Sequence, residues 1–139
     1  MFDSVLHVQV LGQLADMSDK FSCGKPAPMR AVRQRIISAL HGPLLWNESI
    51  GMFRPSSLNC ASLTDVWASA LAVDVGAVTG ARAARIVEWF GAHWSEVVQD
   101  GQIRHLPEGE HWPAHLFWEF DAYQNGANPV AVLYLPEVI

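Results

Sequence analysis

Cysteine, charge and long apolar runs are all scarce in this 139-residue chain. Its two cysteines, Cys23 and Cys60, lie far apart. A disulfide framework needs more of them, and neither belongs to the C-x-x-C pair that marks a structural zinc site. No apolar run reaches the roughly 18 residues that a membrane helix needs. The first residues, Met1-Phe2-Asp3-Ser4, carry an acid where a secretory signal carries bases. The expectation is a chain made in the cytoplasm, leaving it only by a route without a cleaved signal. Charged residues make up 17% and hydrophobic ones 50%, with six tryptophans, a composition that excludes a disordered chain. The length suits one domain spanning residues 1–139.

The small net charge of −5 is unevenly spread. Residues 20–54 hold six bases against Glu48 alone, a net +5, whereas residues from 55 onward sum to −7. A basic segment can meet phosphates or an acidic partner, or it can be a solvated helix face.

Apolar periodicity gives the expected elements. Over residues 4–11, Leu6, Val8 and Val10 alternate with His7 and Gln9, which predicts a half-buried strand. Residues 16–28 hold Gly, Pro and Ser/Asp, so they read as a loop. Val32, Ile36, Ile37 and Leu40 predict a helix over 29–40, with Pro28 at its start and Gly42-Pro43 after its end. Residues 43–59 look irregular. A second helix is expected to start near Cys60, where Ser62 and Asp65 resemble a capping box. Its apolar stripe would be Leu63, Val66, Trp67, Ala70 and Leu71. A third helix is expected over 81–99, stopped by Asp100-Gly101. The last forty residues read as strands: 102–106, then 115–123 and 130–135 joined at Asn125-Gly126. The fold class is therefore α+β, with helices packed on one face of a small antiparallel sheet.

Cys60 is the first candidate for chemistry. At a helix start, free N–H groups and the helix dipole favour the thiolate, which is the reactive form. A nucleophilic cysteine also needs a base within hydrogen-bond reach, usually histidine. Six histidines are present, and His115 is expected on the polar face of a strand that could look across at a helix start. His111-x-x-x-His115 has metal-like spacing, but Pro113 between them argues against a helical zinc site. An alternative assigns Cys60 to the core as a small buried hydrophobe.

The run Asn59-Cys60-Ala61-Ser62-Leu63, followed by two helices and then a strand that opens with histidine, resembles the NlpC-type papain-like peptidases. More narrowly, it is similar to the cell-wall amidase effectors of type VI secretion. The resemblance covers roughly residues 30–135 in order of elements. It implies a papain-like fold, Cys60 as nucleophile and His115 as base. Asn128 would orient the histidine, with Asp121 on the same strand as the other choice. It also implies amide-bond cleavage in peptidoglycan peptides, without a cofactor. Three positions depart from the family pattern. Ser62 stands in place of a Gly, Ala114 precedes His115, and Phe117-Trp118 make the strand bulky.

Two other functions fit parts of the sequence. Small size and many aromatics suit a protein-binding role of the inhibitor or immunity type. Residues 67–78 also read as a helix–turn–helix, with Ala70 and Val78 between the helices, residues 102–106 and 115–123 as a wing, and Arg82 and Arg85 facing DNA from the second helix. The acidity of the chain from residue 55 onward argues against nucleic acid as the partner.

Overall fold

A computed structural model describes residues 1–57 and 62–112. These residues are helix-rich with two small antiparallel sheets, an α+β arrangement. The predicted strands over 115–123 and 130–135, and with them the order of elements at the end of the papain-like pattern, lie outside the described residues.

The first element corrects the sequence expectation. Residues 4–11 are not a strand but part of helix α1, Phe2–Lys20, which also takes in the first residues of the predicted loop. Val5, Val8 and Ala15 of α1 are fully buried, and Leu6, Val10, Leu14 and Met17 stand on its opposite, exposed side. Apolar residues on two faces of one helix imitate a period of two over so short a window. Burial against α2 and α3 then outweighs the β preference of the valines.

Helix α2 runs Pro26–Leu40, three residues earlier than expected. Its prolines fall in the first turn, where no N–H is needed. Arg33 fastens it to its neighbours, donating to the carbonyls of Val8 (3.2 Å) and Val75 (3.1 Å). Within the stretch read as irregular, β1 (Trp46–Asn47) and β2 (Met52–Phe53) form a hairpin, with Trp46 opposite Phe53. Gly51 closes its turn at φ +82°, and a Cβ there would sit 3.0 Å from Arg85 Nε. Only glycine meets both conditions without strain.

Helix α3, Val66–Asp74, starts later than expected, and residues 62–65 are not helical. Its buried residues are Val66, Ala68, Ser69 and Ala72, while Ala70 is exposed. The predicted third helix is divided: α4 covers Gly80–Ala92 and the short α5 covers Trp94–Val97. Residues 98–99 have left the helix to form β3, which pairs with β4, Gln102–Ile103. Asp100 and Gly101 have φ of 50° and 78°, so the pair predicted to stop a helix is a hairpin turn.

The main core joins Val5 and Val8 of α1, Leu40, Trp46, Met52 and Phe53 of the hairpin region, Ala68 and Ala72 of α3, and Ile86 of α4. A second, smaller cluster joins Leu63 and Leu106 with Trp112 packed on them. No helix among the described residues is long and apolar enough to cross a membrane.

Candidate functional site

The polar groups of this molecule converge where the chain enters α3. Asp65 is the N-cap, and its Oδ1 accepts from the N–H of Ala68 at 2.8 Å. This satisfies one of the four N–H groups that a helix start leaves open. The residue is fully buried, which for a carboxylate demands further partners. One is His105, whose Nε2 lies 3.3 Å from Oδ1. The distance is that of an ion pair, but the angle is not that of a hydrogen bond. Asp65 Oδ2 and His105 Nε2 consequently have no hydrogen-bond partner among the described residues.

Backbone contacts fix this pair from three sides. Asp65 N donates to Phe53 O (2.8 Å), and Val66 N donates to His105 O (3.0 Å). Thr64 N donates to Glu110 Oε2 at 2.7 Å, and Thr64 Oγ1 donates to Glu110 Oε1 at 3.3 Å. Aromatic rings enclose the imidazole. Trp67 stacks on His105 with centroids 4.8 Å apart, and Trp112 tilts against it at 5.2 Å. Trp67 is itself held by its indole N–H on Ile103 O.

Beside this junction is an open groove of about 450 Å³. Thr64, Glu96, Glu108 and Glu110 line it, with Trp89 and His93. The His93 ring stacks flat on Trp89, with centroids 4.3 Å apart. Burial raises the carboxyl of Glu110 above its ordinary value and outweighs the two bonds from Thr64, which pull it down. Three carboxylates give this groove a negative lining.

The residues predicted to do chemistry, Cys60, His115 and Asn128, lie outside the described residues, as does the alternative Asp121. One premise about Cys60 is corrected. The helix expected to start beside it starts at Val66, so the α3 dipole is not centred on residue 60. Asp65, expected as the far end of a capping box, is the cap itself. Sequence reasoning missed the pairing of Asp65 with His105 and of Thr64 with Glu110. Both join residues about 40 positions apart, and no local pattern announces them.

Several of the basic residues are occupied as well. Arg82 and Arg85, which a helix–turn–helix would turn to DNA, instead meet Glu48: Arg85 Nη1 donates to Oε1 at 2.5 Å and Arg82 lies 3.5 Å from Oε2. Arg82 also lies over the Trp46 ring, 4.8 Å from its centroid. Ala70, expected between the two helices, is exposed. In the basic stretch before them, Arg30 pairs with Asp16 and Asp19 of α1. Among the described residues no group of three His, Cys, Asp or Glu side chains could hold a metal ion. The chain matches no family model, no curated protein and no solved structure.

Proposed function

We propose that this chain is a cysteine hydrolase with a papain-like order of elements, cleaving amide bonds in peptidoglycan peptides. Cys60 is the nucleophile, His115 the base and Asn128 the residue that orients it. The supporting observation is the Thr64–Glu110 clamp. Thr64 lies four residues after Cys60, and Glu110 lies five residues before His115. Two bonds hold these positions together. The clamp joins the segment that follows Cys60 to the segment that precedes His115, an arrangement in keeping with a nucleophile and its base.

In the reaction, the Cys60 thiolate attacks the amide carbonyl carbon. The C–N bond breaks, and the protonated His115 gives its proton to the departing amine. His115 then takes a proton from water, whose oxygen attacks the thioester, so that the C–S bond breaks, the acid is released and the Cys60 thiolate is regenerated beside protonated His115. Because α3 starts at Val66, ionisation of Cys60 rests on the histidine and not on the helix dipole. The negative groove suits a substrate carrying a free amine.

The test pairs activity with stability. Release of peptide fragments from purified peptidoglycan should fall at least about a thousandfold in Cys60→Ala and in His115→Ala. The double variant should be hardly worse than either single one, because residues acting as a unit are not additive. Melting temperatures should stay near that of the parent. A parent that releases nothing, together with a Cys60→Ala variant that melts earlier, would make Cys60 a core residue and favour the protein-binding role.

A further inference from the structure

Helix α1 carries apolar residues on its outside as well as its inside. Leu6, Val10, Leu14, Met17 and Phe21 are between 36% and 63% exposed. At 100° per residue they fall within an arc of about 80°, opposite the buried Val5, Val8 and Ala15. Scattered exposed hydrophobics are ordinary, but a continuous stripe over four turns is not. It amounts to roughly 500 Å² of apolar surface, near the top of what a monomer shows without a use.

We infer that this face pairs two copies of the chain through antiparallel α1 helices, about a two-fold axis between Gln13 and Leu14. The spacing of the stripe is the first reason. Reversed about that point, Leu6 meets Phe21 of the other copy, Val10 meets Met17, and the two Leu14 side chains meet near the axis. A face that matches its own reverse is what a two-fold contact needs. Charge is the second reason. Asp3 stands in the first turn of α1 and Lys20 in the last. Antiparallel pairing brings the Asp3 end of one copy to the Lys20 end of the other and opposes the two helix dipoles. Parallel pairing would put Asp3 beside Asp3 and Lys20 beside Lys20. Asp16 and Asp19 fall outside the arc of the stripe, and Arg30 of α2 pairs with both within one chain.

Two stripes bury about 1,000 Å², at the lower edge of stable interfaces, which suits a weak dimer. This pairing does not depend on the hydrolase proposal, and its tests need no activity.

Sedimentation of the full chain from about 5 to 500 µM should show a monomer passing to a dimer. Val10→Glu or Met17→Lys should each abolish the dimer at every concentration. The two together should restore it, since each new glutamate then faces a new lysine across the axis. Melting curves confirm that these exposed positions leave the fold intact. The register is read by crosslinking in a chain whose Cys23, which is exposed, and Cys60 are changed to Ser. Leu14→Cys should form a disulfide dimer. Leu6→Cys alone should not, because its two copies would be ~22 Å apart, but it should join to Phe21→Cys in a mixture. A parent that stays monomeric at the highest concentration overturns the inference. So does a dimer that survives Val10→Glu, or a Leu6→Cys that crosslinks to itself.

Discussion

Two regions of the described chain are held together by different physics. Around the β1–β2 hairpin, eleven buried hydrophobic residues from four helices, two strands and the connection between α3 and α4 close on one another. The polar groups there find ready partners: the Phe53 N–H donates to Ser69 Oγ at 3.0 Å, and Trp46 Nε1 donates to Glu48 Oε2 at 2.5 Å. Around the start of α3 the buried cluster is small, Leu63 and Leu106 with Trp112 packed on them, and Trp67 adds its ring. Packed beside them are a buried carboxylate, an imidazole and a carboxyl kept partly from water. The first region resembles a scaffold whose energy comes from area removed from water. Among the described residues the second leaves Asp65 Oδ2 without a hydrogen bond, an arrangement that costs stability.

The largest effect should come from the scaffold. Phe53 is fully buried and meets Trp46 edge to face at 5.1 Å. Phe53→Ala should cost about 3–5 kcal/mol in urea unfolding, the range of large aromatic deletions. A loss under about 1 kcal/mol would show that the hairpin does not sit at the centre of the core. The next effect belongs to the junction. Asp65→Ala removes the α3 cap and the charge beside His105, and should cost about 2 kcal/mol, the upper end for an N-cap. Asp65→Asn keeps an oxygen to cap with and should cost less, so the gap between the two variants measures the cap. Equal stability of both variants and the parent would reduce Asp65 to a bystander.

The smallest effect is one of sign, and it sets the regions against each other. Glu48, in the hairpin, is lowered from its ordinary 4.5, chiefly by the Trp46 N–H and then by Arg85. Its contribution is present above 4.5 and is lost as pH falls through the lowered value. Glu110, at the junction, is raised from 4.5 by burial. Its contribution is fully present below 4.5 and is lost as pH rises through the raised value. Melting temperatures against pH should therefore slope in opposite senses when the parent is compared with Glu48→Gln and with Glu110→Gln. Slopes of the same sense would mean that Glu110 is not desolvated by the groove wall.

Local signals carried far in places. The run of Val32, Ile36, Ile37 and Leu40 marked α2, and Gly42-Pro43 marked its end, because a helix has to bury one face and then stop. The amphipathic stretch after residue 65 and the one from residue 80 were also legible as helices. The errors share a cause. Val87 and Trp94, which fit the third helix's period, are 61% and 58% exposed, and Trp94 lies in α5 after the break at His93. The α1 error arose because eight residues are too few to separate a period of two from a helix with two apolar faces. Of the candidate site, the sequence offered Cys60, His115 and Asn128 by resemblance and by residue type. It offered no hint that Thr64 would hold Glu110, since neither residue is distinctive where it stands.

Taken alone, the amino-acid order determined composition and the span and stop of α2, which depend on residues within a turn or two of each other, whereas Asp100-Gly101 read as a helix stop and Asp65 as the far end of a cap. Only the tertiary structure decided that residues 4–11 would be helix, that Arg82 and Arg85 would close on Glu48, and that residues 64–66 would gather Phe53, His105 and Glu110. The physical reason is range. A cap or a turn gains its hydrogen bond locally, whereas burial and buried charge are settled by whatever distant residue the packed chain brings within 3 or 4 Å.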